Sequence, residues 1–340
     1  LMKKIFIYEN FSSDRNKPMN IIDDDVFLFQ DELTKSFTQT YALLIKNVSL
    51  FGLNLSKFSN IFSFTKFTKM KEYKLMNKIK LFLKEFLKNK PNIKFQNEIE
   101  KGSWIIDEKS FHYFHWMCDA LPRMIQIRSY TKSYPVLIPN SFMKYDYIAS
   151  SLNKLKINYL VYEYNQKYKI NELLISSHVA DSGNYNKKNI TELAKSFKTE
   201  QNMKNLKKIW ISREKSKHRK IINEADIRDI LLKYNYEIIY PEDHNFLDQI
   251  SLFTNAKVIA GLHGGGLTNI IYAPSDTIIL EVRRENDDLN NCYFSLASEL
   301  DMNYFYLNAK RLGDDLYIDN VEVNIDDLVK VLDLIENEIN

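Results

Sequence analysis

The chain has 340 residues, 45% of them hydrophobic, and a formal net charge of +3. This length exceeds the usual size of a single domain and predicts two packed cores. So small a charge gives no reason to assign a nucleic-acid partner, and with only eight glycines and seven prolines a disordered or loop-dominated chain is excluded.

The cysteines and the first residues of the chain indicate the cellular compartment in which we expect the protein. Cys118 and Cys292 are far apart and show no metal-ligand spacing, which favours a reducing compartment over a disulfide framework. Residues 1–8 predict a first strand and lack the features of a signal peptide. We therefore expect the protein in the cytoplasm or at the inner face of the membrane.

A basic region follows the first strands. Lysines predominate from Lys57 to Lys94, and Leu75, Ile79, Phe82 and Phe86 recur within it at helical spacing. This pattern predicts an amphipathic surface helix with a solvated lysine face. The alternative is a peripheral contact with anionic lipid or an acidic acceptor.

From residue 103 onward, short apolar runs alternate with helical stretches, which indicates an α/β fold with parallel sheets. The predicted strands are Val136–Ile138, Leu173–Ile175, Lys208–Ile211, Tyr236–Ile239, Lys257–Ala260 and Thr277–Val282. The predicted helices are Thr191–Lys204, Glu224–Lys233 and Leu247–Phe253. We predict an N-terminal domain at 1–200 and a nucleotide-binding domain at 205–320. A C-terminal helix at 321–340 packs back on the N-terminal domain in this interpretation.

A glycine-rich turn follows the strand Lys257–Ala260. His263, Gly264, Gly265 and Gly266 stand where this strand turns into a helix. Glycines allow a ligand to approach the backbone closely, and the N-terminus of a helix favours phosphate. The alternative is a turn that only packs the helix on the strand.

A basic loop follows another strand. Arg213 and Arg219 lie between the strand Lys208–Ile211 and the helix that begins at Glu224. Arginine presents paired donors to phosphate oxygens, so the two side chains can neutralise a diphosphate leaving group without a metal. A solvated basic loop is the alternative.

A third segment carries candidate acid–base groups. His115, Asp119 and Arg123 fall on one stripe of a predicted helix, although Pro122 should kink or end that helix. Either Asp119 or His115 could take a proton from an acceptor hydroxyl, with Asp119 the first choice. A hydrogen-bonded His–Asp pair in the core is the alternative.

Together these segments resemble glycosyltransferase family 61, which includes bacterial capsule and lipopolysaccharide enzymes, plant pentosyltransferases and animal N-acetylglucosaminyltransferases. The resemblance covers about residues 100–285. It is carried by Tyr113–Trp116 with Asp119 and Leu121–Arg123, Ile211–Arg213 with Arg219 and Asn223–Glu224, Phe246–Ile250, Asn255–Ala256, His263–Asn269 and Glu281. The family pattern usually has Asn at the position of His112 and Ala at the position of Gly265.

The resemblance implies a GT-B fold, in which two Rossmann-like domains face each other across a central cleft. It further implies an inverting transfer from a UDP-sugar to a saccharide or lipid-linked saccharide hydroxyl, with no cofactor and no metal. The implied donor-binding residues are Arg213, Arg219, His263, Gly264, Gly265, Gly266, Thr268, Asn269 and, near the ribose, Glu281. His115 and Asp119 are the implied catalytic pair, and His112, Trp116 and Arg123 lie on the acceptor side.

Three alternatives stay open at this stage. Asp23 and Asp25 form an acidic D-x-D pattern that is typical of metal-dependent GT-A transferases. A GT-B-shaped nucleotide-sugar epimerase and a non-catalytic nucleotide-sugar-binding protein would share the same donor pocket.

Overall fold

The computed structural model describes residues 2–57, 97–199, 206–315 and 318–339. Apart from its first residue, the basic region Lys57–Lys94 lies outside them, so its helix and its membrane contact stay predictions. Within the described part, no helix has both the length and the apolar character that a membrane span requires.

The described residues form alternating strands and helices. The strands are β1 (Met2–Tyr8), β2 (Phe11–Asp14), β3 (Thr34–Phe37), β4 (Thr40–Phe51), β5 (Asn54–Lys57), β6 (Asn97–Trp104), β7 (Val136–Pro139), β8 (Tyr159–Tyr162), β9 (Lys167–Ser176), β10 (Lys207–Ile211), β11 (Tyr236–Ile239), β12 (Ala256–Leu262), β13 (Ile278–Arg284), β14 (Asn303–Arg311) and β15 (Val321–Glu322). The α-helices are α1 (Gln30–Leu33), α2 (Tyr113–His115), α3 (Leu121–Gln126), α4 (Asp146–Lys154), α5 (Lys187–Phe197), α6 (Glu224–Lys233), α7 (Phe246–Thr254), α8 (Cys292–Glu299) and α9 (Ile325–Ile339).

The chain divides into two compact units. The N-terminal unit comprises residues 1–11 and 36–193, and the C-terminal unit comprises 12–35 and 194–340. This division differs from the predicted one, because the boundary lies within α5 and an early segment belongs to the later unit.

The N-terminal unit is built on a mixed sheet with the order β1-β4-β9-β6-β7-β8, and β5 pairs with the far end of β4. Strands β9, β6, β7 and β8 are parallel, whereas β1 and β4 pair antiparallel to their neighbours. The unit is therefore α/β, but its sheet is not the fully parallel one that two Rossmann-like domains would have. Since β4 and β9 are far apart in sequence, nothing local in the chain indicates their pairing.

The C-terminal unit is built on a sheet with the order β11-β10-β12-β13-β14-β15. The first five strands are parallel, and only the edge strand β15 is antiparallel. Counted from β10, the parallel strands follow the doubly wound order 2-1-3-4-5. Their buried apolar runs gave the strand predictions, and α6 has the predicted bounds. The predicted α/β class is confirmed in both units.

An early segment packs on the C-terminal unit, although the sequence assigned it to the N-terminal domain. Within residues 12–35, Arg15 forms an ion pair with Glu299 at 3.2 Å between Nε and Oε1. Asp25 accepts a hydrogen bond from the hydroxyl of Tyr306 at 2.6 Å. These partners are more than 280 residues apart, so the sequence offers no local signal for the contact.

The C-terminal helix α9 belongs to the core of the C-terminal unit. Its buried residues Leu328, Leu332 and Ile335 repeat at helical spacing and pack with Leu280 and Phe305 in that core. The predicted packing of this helix on the N-terminal domain stays a prediction.

Candidate functional site

The basic loop and the glycine-rich turn follow neighbouring strands of the C-terminal unit. Arg213 comes two residues after the end of β10, and His263 comes directly after β12. The strand order reverses at β10, whose other neighbour is β11. In doubly wound sheets, ligands bind at the carboxyl ends of the strands where the order reverses. The two predicted donor segments thus meet at the expected position.

The basic loop folds around the guanidinium group of Arg213. Its Nε donates to the carbonyl of Arg219 at 2.8 Å, and Nη2 donates to Ser216 Oγ at 2.9 Å and to the carbonyl of His218 at 3.0 Å. Arg219 adopts a φ of +54°, which is uncommon outside glycine. The loop therefore holds Arg213 in one orientation at the cost of local backbone strain.

Arg213 and Arg219 form a pair of cations without carboxylate partners. Neither guanidinium forms a salt bridge in the described part of the chain, and Nε of Arg219 is buried without a hydrogen-bond partner there. Burial, and next the charge of Arg219, lower the pKa of Arg213. Two neighbouring guanidinium groups repel each other when no negative charge lies near them, and both have donors that are not used. The arrangement therefore favours a ligand with several negative charges.

His263 is held by a buried carboxylate. Its Nδ1 lies 2.5 Å from Oε1 of Glu281, and the hydroxyl of Tyr304 donates to the other carboxylate oxygen at 2.5 Å. The imidazole contacts the ring of Tyr293 at 5.0 Å between centroids and is 17% exposed. With Nδ1 bonded to the carboxylate, Nε2 is the ring nitrogen left for a ligand.

Glu281, predicted to lie near the ribose, is held within the core of the C-terminal unit. The side chain of Glu281 is 0% exposed, and both oxygens are engaged by His263 and Tyr304. These contacts orient the imidazole of His263.

Thr268 and Asn269 also differ from the prediction that they bind the diphosphate. Both are completely buried in the 3₁₀-helix Gly265–Tyr272. Asn269 Nδ2 donates to Gln249 Oε1 at 3.0 Å. These side chains fix the helix to the core, so its amino end, with Gly265 and Gly266, is the part of this helix that can face a ligand.

The glycines of the turn give a matched test. A Cβ on Gly264 would lie 2.9 Å from the guanidinium carbon of Arg213, whereas a Cβ on Gly265 would meet nothing within 4 Å. We therefore expect Gly264→Ala to displace Arg213 and to weaken UDP binding about tenfold or more, since charged hydrogen bonds depend on that placement. Gly265→Ala is the control and should bind UDP like the unsubstituted protein. Calorimetric titration of both variants checks this; equal affinities would contradict it.

The predicted catalytic pair lies in the N-terminal unit. His115 Nδ1 is 2.7 Å from Asp119 Oδ2, and Ser182 Oγ donates to the same oxygen at 2.9 Å. The side chain of His115 is 18% exposed and that of Asp119 is 8% exposed. Ser182 was not among the predicted site residues, because a serine in a polar loop shows no distinctive pattern in the sequence.

The helix that carries this pair accommodates its proline without a break. A π-helical turn, Trp116–Ala120, follows α2, and Leu121 donates its N–H to the carbonyl of Trp116. Pro122 stands in the first turn of α3, where its missing N–H is tolerated. The predicted end or kink is replaced by a π-turn, a feature often found at functional sites.

Burial raises the pKa of Asp119, whereas the hydrogen bond from Ser182 acts in the opposite direction. Asp119 can accept the hydrogen bond from His115 Nδ1–H only as the carboxylate, so kcat/KM is expected to fall as the pH drops through this raised range. Removing the Ser182 hydroxyl removes a hydrogen bond that lowers the pKa of Asp119. We therefore expect Ser182→Ala to move the acid limb of the kcat/KM profile to higher pH.

The control is Ser150→Ala, which removes a similar bond from Ser150 Oγ to Asp146 at the surface. Its pH profile should match that of the unsubstituted protein. An acid limb that stays in place in Ser182→Ala would show that Asp119 is not part of the titrating group.

The three residues predicted on the acceptor side differ in how deeply they are buried. Trp116 is 0% exposed, and its Nε1 donates to Ser151 Oγ at 2.8 Å. Arg123 is also 0% exposed and donates to the carbonyl of Ser176 at 2.7 Å. Both side chains are buried in the core of the N-terminal unit, and their assignment to the acceptor side stays a prediction. His112 is half-buried 6.2 Å from the His115 ring, and burial lowers its pKa.

The sequence matches known proteins across this region. Residues 113–280, just under half of the chain, match the family described as Glycosyltransferase 61. The chain is 31% identical over 91 residues to the EGF domain-specific O-linked N-acetylglucosamine transferase of Drosophila melanogaster and 26% identical over 95 residues to that of Mus musculus.

Each match covers 26% of this chain and 17% or 18% of the relative, so the matched segment spans less than a fifth of these proteins. The family match extends from the His115–Asp119 pair of the N-terminal unit to β13 of the C-terminal unit. Over residues 113–280 the chain is therefore similar to glycosyltransferase family 61.

Proposed function

We propose that the chain is an active glycosyltransferase that moves a sugar from a UDP-sugar to a saccharide hydroxyl with inversion at the anomeric carbon. The observation that supports it best is the position of Arg213 and Arg219, which lie where the strand order of a doubly wound sheet reverses. Neither has a carboxylate partner among the described residues. A nucleoside diphosphate gains negative charge as the glycosidic bond breaks. Preorganised cations at that position stabilise the transition state more than the ground state.

His263 adds a third donor to this arrangement. Its Nδ1 is held by the buried carboxylate of Glu281, and in the proposed complex Nε2–H donates to a phosphate oxygen. Two guanidinium groups, the imidazole of His263 and the amino end of the 3₁₀-helix together stabilise the negative charge that a divalent cation stabilises in metal-dependent transferases. The proposed reaction accordingly uses no bound metal.

The acceptor hydroxyl needs a base. His115 is more exposed than Asp119, and Asp119 Oδ2 is occupied by His115 and Ser182. We therefore assign proton removal to Nε2 of His115, with Asp119 holding Nδ1–H and stabilising the imidazolium that forms. The acceptor oxygen attacks the anomeric carbon as the bond to the UDP oxygen breaks, so a single displacement inverts the configuration.

The resemblance to capsule and lipopolysaccharide enzymes supports a role in surface polysaccharide synthesis, in the cytoplasm or at the inner membrane face. The similar transferases are named for N-acetylglucosamine transfer, so UDP-N-acetylglucosamine is the first donor to test. A saccharide or lipid-linked saccharide is the proposed acceptor.

A thermal-shift screen against nucleotide sugars tests the donor assignment. A ligand that binds only the native state raises the melting temperature, and we expect UDP and a UDP-sugar to do so. Incubation of the same UDP-sugar without acceptor tests the epimerase alternative, which predicts a new nucleotide sugar. Loss of transfer in EDTA with recovery in Mn²⁺ would support the metal-dependent alternative based on Asp23 and Asp25 and overturn the proposed mechanism.

A further inference from the structure

A narrow pocket lies beside the His115–Asp119 pair, within the N-terminal unit. Its lining includes Asp119, Pro122, Ala180, Tyr185 and Asn189. The pocket encloses about 270 Å³ when the part open to solvent is included, and the room within it is about that of one water-sized group. A single hydroxyl group therefore fits this space better than a whole sugar ring does.

Asn189 presents an unused acceptor at this pocket. It is 0% exposed, and its Nδ2 donates to the carbonyl of Pro122 at 3.0 Å and lies 3.4 Å from the hydroxyl of Tyr8. Because a proline carbonyl can only accept, this bond fixes which end of the amide is the oxygen. Oδ1 accepts no hydrogen bond from any residue that the structure describes.

Buried acceptors are as a rule hydrogen-bonded, so a donor is expected here that the described residues do not supply. Water and a sugar hydroxyl are the two donors of suitable size. The carboxylate of Asp119 lines the same pocket and is hydrogen-bonded to the proposed base, so a group bound here lies next to the position of proton removal. This neighbourhood favours the hydroxyl of a substrate.

We propose that this pocket binds one hydroxyl group of the acceptor sugar, which donates its proton to Oδ1 of Asn189 and thereby orients the reacting hydroxyl toward His115. The inference rests on the proposed function, because it presumes a saccharide acceptor. It assigns Asn189 a role in acceptor specificity: a sugar without that hydroxyl would leave the buried oxygen unpaired and bind more weakly.

The experiment is an NMR titration of the full ¹⁵N-labelled chain with three probes: the methyl β-glycosides of glucose, galactose and N-acetylglucosamine. We expect one of them to shift the side-chain amide signals of Asn189, which Asn189→Ala identifies by their loss. Single-deoxy analogues of that glycoside follow, and one of them should lose the shift. If no probe shifts these signals, or if every deoxy analogue still does, the pocket holds water only and the proposal fails.

A second variant guards against a folding defect in Asn189→Ala. Ala180→Val narrows the pocket without removing any hydrogen bond of Asn189. We expect it to weaken glycoside binding about tenfold at an unchanged melting temperature, because extra methyl groups exclude the hydroxyl. Lys188→Ala, on the exposed side of α5 next to Asn189, is the control and should bind normally. Unchanged glycoside affinity in Ala180→Val would overturn the proposal.

The backbone amides of Gly264–Gly266 report on UDP in the same samples. A chain that binds the glycoside but not UDP would refute the proposed function and keep the pocket assignment. A chain that binds UDP and transfers sugar, but shows no response at Asn189, would refute only the pocket assignment.

Discussion

His115→Ala is expected to lower the rate of sugar transfer by about 10²–10⁴-fold while the affinity for UDP stays unchanged. The imidazole is the exposed member of the His115–Asp119 pair, and its Nδ1 is held 2.7 Å from the carboxylate. Without it, the acceptor hydroxyl has no positioned base. UDP affinity should not change, because every proposed donor-binding group belongs to the C-terminal unit.

Asp119→Asn separates the two members of the pair. The amide keeps the shape but removes the charge that stabilises the imidazolium and selects the tautomer, so transfer should again fall strongly. Lys330→Ala, which removes an exposed side chain of α9, is the control. Initial rates of sugar transfer and calorimetric UDP titrations of the three variants test the assignment of the base. Full activity in His115→Ala, or an equal loss of UDP affinity, would contradict the assignment of the base.

Arg213→Ala is expected to weaken UDP binding by about 10²-fold. A charge-assisted hydrogen bond to phosphate contributes about 1.5–3 kcal/mol, and the guanidinium also supplies charge to the departing diphosphate. Nη1 is the nitrogen that the loop bonds leave available, and it lies against Gly264 in the turn. Arg213→Lys should recover little, because a lysine ammonium cannot make the loop bonds and the phosphate contact at once.

Arg213→Ala can weaken UDP binding either by removing a phosphate contact or by disordering the loop. Ser216→Ala distinguishes these two causes. This variant removes one of the three bonds that hold Arg213 and leaves the guanidinium in place. It should weaken UDP binding by a few-fold at most. A loss in Ser216→Ala as large as that in Arg213→Ala would show that the arginine acts only by ordering the loop. Lys207→Ala, in a surface pair with Glu237, controls for net charge.

The sequence predicted the C-terminal sheet well for a physical reason. Parallel strands buried on both faces leave short continuous apolar runs, as in Trp210–Ile211 and Ile278–Leu280, and these are visible without tertiary information. The spacing of His115 and Asp119 is likewise local, and their predicted contact on one helical stripe is present. Arg213 and the glycine-rich turn follow neighbouring parallel strands and therefore lie at the same edge of the sheet, although the strand order that makes them neighbours is known only from the structure.

Contacts between distant segments could not be predicted in this way. The packing of residues 12–35 on the C-terminal unit and the antiparallel pairing of β4 with β9 depend on partners far away in the chain. Whether a single residue is buried can also not be predicted from the sequence alone. Glu281, Thr268 and Trp116 fall within segments that match the family pattern, and only the structure shows that they support the site from the core. Ser182 was missed because a hydroxyl in a polar loop carries no distinctive pattern.

The arrangement of the two units in a GT-B fold, the inverting course and the identity of the donor stay predictions. They depend on one claim: the C-terminal unit binds a diphosphate through Arg213, Arg219, His263 and the Gly264–Gly266 turn. Each of these groups has been placed by its own contacts, independently of any ligand.

A crystal structure of the chain with bound UDP tests that claim most directly. The account predicts diphosphate oxygens within about 2.7–3.2 Å of Arg213 Nη1, of His263 Nε2 and of a backbone N–H in the glycine turn. It also predicts that Nε of Arg219, now without a partner among the described residues, gains one. A diphosphate bound elsewhere, with Arg213 and the turn left in contact only with solvent, would contradict the account.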